Sequence, residues 1–143
     1  HRVPGFENAR YEEPLAGGRG NSVRLLAAVA RDDAMRVLGT ANLFCAGEKA
    51  GMLVGHTEAI VTGTIAGYNA VRLLQNLPLT ALPRSLACGG AVAYARETFP
   101  DVRLTLSGAE DFGRVKGNGL YTTDRSEVRR RVAKAGLSDV FAR

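Results

Sequence analysis

A ridge of small residues inside one helical pattern constrains this chain more than any other feature. Between Thr57 and Gln75, the residues Ala59, Gly63, Gly67 and Ala70 recur about one turn apart, among Ile60, Val61, Ile65, Val71 and Leu74. A glycine in a helix interior costs about 1 kcal/mol relative to alanine. Two on one ridge therefore point to the close approach of another backbone or of something bulky, or simply to tight helix-on-sheet packing. The segment is expected to be a helix that is apolar on most sides and buried, ended by Asn76 and Pro78. Just before it, Leu43 to Ala46 reads as a short buried strand, and a glycine-marked loop joins strand to helix.

In α/β proteins, ligands bind at the carboxyl ends of strands, where helix N-termini present free N–H groups. The polar residues of this unit gather at that point: Gly51, Gly55, His56, Thr57 and Glu58. Thr57 can cap the helix, and Gly55 lets a ligand approach the backbone. The positive end of the helix dipole favours a negative guest, such as a phosphate or a reduced flavin charged on its pyrimidine side. His56 has the chemistry to hydrogen-bond a carbonyl oxygen or move a proton, or is an exposed loop histidine. Glu58 is either a ligand contact or a first-turn stabiliser. Glu48, just past the strand, can accept hydrogen bonds from sugar or ribityl hydroxyls, and Lys49 can meet a phosphate.

The rest of the chain divides around this unit. Residues 1–40 precede it and include a basic glycine turn, Gly17-Gly18-Arg19-Gly20-Asn21; residues 41–76 are the strand, loop and helix; residues 77–143 follow. Met35 to Leu38 reads as a short strand, and Leu77 to Pro83, with two prolines, as a boundary. Ser85 to Phe99 is expected to be a second helix stopped by Pro100, and Val102 to Leu106 alternates like a strand. Gly108 to Gly119 reads mostly as loop. Thr123 or Asp124 then caps a basic helix, Arg125 to Ala135, terminated by Gly136. Its Val128, Val132 and Ala135 would form an apolar stripe, leaving Arg125, Arg129, Arg130, Arg131 and Lys134 on the outer face.

Composition narrows the class. With 45% hydrophobic and 23% charged residues, the chain belongs with soluble globular proteins. No apolar run is long enough for a membrane span, and nothing resembles a signal peptide. The 2 cysteines lie far apart with no His/Cys cluster, so no metal site or disulfide framework is expected and a reducing cytoplasm fits. Cys45 reads as a small buried residue. Cys88, near Gly89 and Gly90 on a helix, is expected to be accessible, but nothing in the sequence marks it as activated, so neither is assigned as a nucleophile. A net charge of +5 suits an anionic partner, a phosphate-bearing cofactor or RNA, as well as it suits a solvated basic surface.

The run Leu43-Phe44-Cys45-Ala46-Gly47-Glu48, the Gly51-to-Gly55 loop and Glu58 to Ala70 together resemble the C-terminal FAD-binding motif of the glucose-inhibited division protein A family. The likeness covers residues 41–72 closely, and the Gly17-to-Asn21 loop is similar to the glycine-rich segment that precedes the motif. That family includes FAD-dependent tRNA uridine-modifying enzymes, of both the carboxymethylaminomethyl and the folate-dependent methyl-transferring type. The resemblance implies an α/β, Rossmann-like flavoprotein with two dinucleotide-binding domains and a small C-terminal α+β region. It also implies that Gly47 and Glu48 meet the ribityl or pyrophosphate region of FAD, and Gly55, His56 and Thr57, with Glu58 following, the isoalloxazine edge.

One departure qualifies the match. Such enzymes open with a strand and a G-x-G-x-x-G turn for the pyrophosphate, and no such turn occurs here. The chain is therefore read as the C-terminal part of a flavin-dependent oxidoreductase with an incomplete site, inactive alone. The expected partners are FAD and, through the basic C-terminal region, tRNA, with self-association left open. The rival expectation is a non-catalytic RNA- or protein-binding module in which the strand–helix unit is only scaffold.

Overall fold

The computed structural model describes residues 29–51, 56–98 and 108–142, apart from the side chains of Glu48, His56, Thr98 and 109–111. Four helices follow in order: α1 (His56–Leu74), α2 (Ala87–Thr98), α3 (Gly108–Gly117) and α4 (Arg125–Lys134). Short 3-10 turns occupy Gly47–Ala50 and Val140–Ala142.

The segment before α1 is a knot of turns rather than a sheet. Asp32 organises it: its Oδ1 accepts from the backbone N–H groups of Ala34 and Arg36, both at 2.9 Å. Met35 takes the left-handed conformation (φ 69°) with its side chain fully buried, and its carbonyl accepts from Cys45 N–H at 2.9 Å. Isolated antiparallel bridges join Arg31 to Val37 and Arg36 to Phe44. Among the described residues these bridges are the whole of the β structure. The expected strands at 35–38 and 43–46 are thus extended pieces that each meet a neighbour briefly. The parallel sheet of a Rossmann-like domain is absent from the described residues, while the strand expected at 102–106 and the Gly17-to-Asn21 loop lie outside them.

The core lies between α1, α2 and this knot. Met35, Ala50, Ile65, Ala66, Ala91, Val92 and Ala95 are buried together, with Phe44, Val61 and Leu82 packed against them. Alanines dominate because the backbones come close. At Gly89 an added Cβ would lie 2.2 Å from the carbonyl oxygen of Pro83, so the 82–83 connection can rest directly on α2 only if that residue is glycine. The C-terminal turn is held against α1 by the edge-to-face pair Tyr68–Phe141, with ring centroids 5.1 Å apart.

Two expectations are corrected. Residues 108–117, read as loop, form α3, because Val115 is buried and α3 packs on α2; glycines at 108, 113 and 117 hid its period. And α1 is two-faced rather than buried all round. Ile60, Val71 and Leu74 are exposed, and Gly63 and Gly67 have open space where a Cβ would stand.

Candidate functional site

The turn Gly47–Ala50 packs on α1, and one residue makes the join. Gly47 N–H donates to Thr62 Oγ1 at 2.8 Å, and the Thr62 hydroxyl donates to the Glu58 carbonyl at 2.7 Å. Thr62 is wholly buried. Glycine is favoured at both ends of the turn, since Gly47 and Gly51 have φ of 60° and 83°. A buried hydroxyl in the second turn of the helix thus sets where the loop backbone lies relative to the helix start.

Of the predicted set, the structure places Gly47, Thr57 and Glu58, and it ties Gly47 to the Glu58 backbone through Thr62. Helix α1 begins at His56, so Thr57 stands inside its first turn rather than capping it, and it is exposed. The Glu58 side chain is half-buried, and its Oε2 is shut off from solvent with no hydrogen-bond partner. A buried acceptor without a donor is unusual enough to need an explanation, such as an absent donor group. Gly55 and the side chains of Glu48 and His56 lie outside the described residues.

Behind the turn, Arg31 acts as a clasp. Its guanidinium is buried and donates to the carbonyls of Ala50 (2.9 Å), Asp32 (3.1 Å) and Val92 (2.9 Å). The end of the 3-10 turn is thereby tied to α2. Burial pushes Arg31 below its usual value, against the pull of Cys45 and of Asp33, whose Oδ1 is 3.9 Å away. Asp33 also accepts from Arg96 at 2.7 Å. Burial raises the Cys45 thiol, and the nearby Arg31 only partly offsets this. The thiolate is therefore disfavoured, in keeping with a packing role.

Asn69, one helical face along from Thr62, is also fully buried with its amide fully engaged. Its Nδ2 donates to the carbonyls of Ala34 (2.9 Å) and Thr80 (2.8 Å), and its Oδ1 accepts from Thr80 N–H at 2.8 Å. Arg31, Thr62 and Asn69 escaped the sequence-based set. Their signal was present, since Thr62 and Asn69 are polar residues seven apart on the apolar side of a helix, where burial demands a partner.

The basic helix α4 carries a second surface. Asp124 caps it, Oδ1 accepting from Ser126 N–H at 2.8 Å. Arg125, Arg129, Arg130 and Lys134 are exposed. Glu127 accepts from Arg130 (Nε 2.7 Å, Nη2 2.8 Å) and from Arg131 Nε (2.7 Å), and these bonds hold its carboxyl down at about 2. Arg131 also donates to the carbonyls of Gly119 and Leu120, both at 3.1 Å. A groove of about 550 Å³ separates α4 from Pro83 and Ser85, with Arg130, Arg131 and Lys134 along it. On its apolar side, Val128 and Val132 line a cleft of about 310 Å³ with Leu82, Leu86 and Phe141. No group of three or more His, Cys, Asp or Glu side chains fit to hold a metal occurs among the described residues. None of the described helices is long and apolar enough to cross a membrane.

Comparison with known proteins adds to this geometry. Residues 1–78 match the family described as glucose inhibited division protein A. Curated relatives include methylenetetrahydrofolate–tRNA-(uracil-5-)-methyltransferases TrmFO. That of Desulfitobacterium hafniense is 34% identical over 100 residues, 70% of this chain and 22% of that protein. That of Thermus thermophilus is 33% identical over 102 residues, 69% of this chain and 22% of that protein. That of Streptococcus sanguinis is 29% identical over 142 residues, 96% of this chain and 30% of that protein. The chain thus spans between a fifth and a third of the length of the curated relatives it matches. No solved structure matches it.

Proposed function

Because this chain belongs to the glucose inhibited division protein A family, we propose that it supplies the flavin-contacting corner of an FAD-dependent enzyme that modifies a tRNA uridine. In this reading residues 41–76 complete the FAD site, residues 1–40 lead into it, and residues 77–143, packed on that unit through α2, meet RNA in the cytoplasm.

The observation that carries the proposal is the corner made by Gly47, Thr62 and Glu58. A loop backbone is locked onto a helix start, and a buried carboxylate oxygen there lacks a donor. These residues fit a flavin nucleotide. Its hydroxyl and ring N–H groups are the donors that such an oxygen lacks, and the first-turn N–H groups favour its negative charge. Gly47 and Glu48 would hold the ribityl or pyrophosphate region, and Gly55, His56, Thr57 and Glu58 the ring edge. FAD, when bound, would supply the redox chemistry; the residues here bind it and orient it. The names of the relatives support tRNA uracil as the substrate class.

The test is to titrate FAD into protein containing this chain and follow the visible flavin band. Glu58→Gln and Thr62→Val, with Glu48→Gln and His56→Ala alongside, should each weaken binding. Glu58→Gln should do so about tenfold, the loss of one charge-assisted hydrogen bond of about 1.5 kcal/mol. Unchanged flavin affinity in all four variants would overturn the assignment. The basic face of α4 favours a second reading, a non-catalytic RNA-binding module. Salt-sensitive tRNA binding indifferent to flavin, in protein with no affinity for FAD, would decide for it.

A further inference from the structure

We propose that the groove between the 83–85 turn and α4 receives a backbone phosphate of a structured RNA, and that Glu127 occupies the fork of Arg130 until that phosphate displaces it. The inference rests on the RNA half of the proposed function and assigns it a place and a built-in competitor.

Three cations, Arg130, Arg131 and Lys134, line the groove against one carboxylate, Glu127. They are not equivalent. Arg131 is committed to the fold, because it bonds Glu127 and the carbonyls of Gly119 and Leu120 at once. Arg130 is committed only to Glu127, through two parallel bonds of 2.7 and 2.8 Å, and its side chain is 68% exposed. That fork-to-fork geometry is the one a guanidinium offers to two oxygens of a phosphate. Glu127 thus stands where a phosphate would, and the fork is already aimed. Lys134 is exposed one turn further along, in position to take the same phosphate or the next.

The rest of the groove favours the nucleic-acid backbone over its bases. Its walls are Pro83, Ser85, Leu120 and Ala135, with no aromatic ring for stacking, and the Ser85 hydroxyl adds a neutral donor. Displacing Glu127 costs the RNA part of what the phosphate contact returns. An exposed ion pair of this kind is worth at most a few-fold in affinity, so the competitor tunes binding rather than forbidding it.

The experiment is fluorescence anisotropy of the 143-residue chain with an unmodified tRNA transcript over a range of salt, and with duplex DNA of equal length. Glu127→Gln, which keeps the shape and removes the charge, should bind about two- to fivefold tighter. Arg130→Ala with Lys134→Ala should bind about tenfold more weakly, and the slope of log affinity against log salt should fall by about 1.5, the share of two phosphate contacts. Lys134→Glu should weaken binding further while leaving every bond to Glu127 in place. Circular dichroism of each variant guards against loss of α4. Equal losses from Arg125→Ala with Arg129→Ala would spread the contact over the whole helix and overturn the site. So would unchanged affinity in Glu127→Gln or in the Arg130/Lys134 pair. Equal affinity for the duplex DNA, with the same pattern of variants, would overturn RNA as the occupant. FAD titration of protein containing this chain, with the same variants, separates the two proposals: retained flavin binding with failed RNA tests sinks only this one, and the reverse sinks only the flavin site.

Discussion

Asn69 shows what a single buried polar residue can hold. Its amide joins α1 to the Ala34 turn and to the Thr80 backbone beyond the helix, with three bonds of 2.8–2.9 Å. Replacing it with leucine, of similar size, leaves Thr80 N–H and two carbonyls without partners. A loss of about 1–3 kcal/mol in chemical denaturation is expected, whereas Thr64→Val on the exposed side of the same helix should change stability little. The cysteines give a second test at this scale. Cys45 is half-buried with its thiol pushed up by burial, and Cys88 is exposed. Alkylation near pH 8 should therefore modify Cys88 well before Cys45. Equal rates would show that Cys45 is open to solvent and not packed beside Arg31.

At the scale of elements, α4 and α2 illustrate two ways of fixing a helix. In α4 the local sequence suffices: Asp124 at the N-cap, Glu127 three residues on, and arginines at i+3 and i+4 from Glu127 satisfy one another along the surface. Glu127 titrates at about 2 instead of 4.5 because Arg130 and Arg131 bond it. Since the folded value is depressed, its contribution is fully present above about pH 4.5 and is lost as pH falls through about 2. Helicity of α4, followed by NMR, should thus decline progressively between about pH 4.5 and about pH 2, and Glu127→Gln should abolish this acid step. Helix α2 depends instead on its neighbours. Gly89→Ala would drive a methyl into the Pro83 carbonyl and should cost about 1–3 kcal/mol, measurable as a lower melting temperature.

For the whole molecule, the arrangement of faces matters most. The inner face of α1, with Thr62, Ile65, Ala66 and Asn69, closes on the turns before it and on α2. Its outer face leaves Ile60 67% and Leu74 83% exposed beside the open Gly63 and Gly67. Leu74→Gln should then shift the stability of this chain by no more than about 0.5 kcal/mol, while Met35→Ala, at the centre of the core, should cost about 2–5 kcal/mol. Comparable losses would show that the outer face is packed in solution.

Residue spacing alone located α1, α2 and α4 to within two residues, because caps, prolines and apolar periods act over a few neighbours. It also marked the loop and helix start where Gly47 and Glu58 lie, and with the family resemblance it pointed to a flavin. Only the tertiary structure decided which side of α1 is buried, since an apolar residue carries no record of the surface it meets. The same holds for α3, whose glycines dilute its period until Val115 finds α2. It holds most for Thr62, Arg31 and Asn69, whose tertiary partners lie from 11 to 61 residues away in the chain. Hydrogen bonds of that span exist only once the backbone has folded, so the polar joints of the candidate site had to be read from the fold.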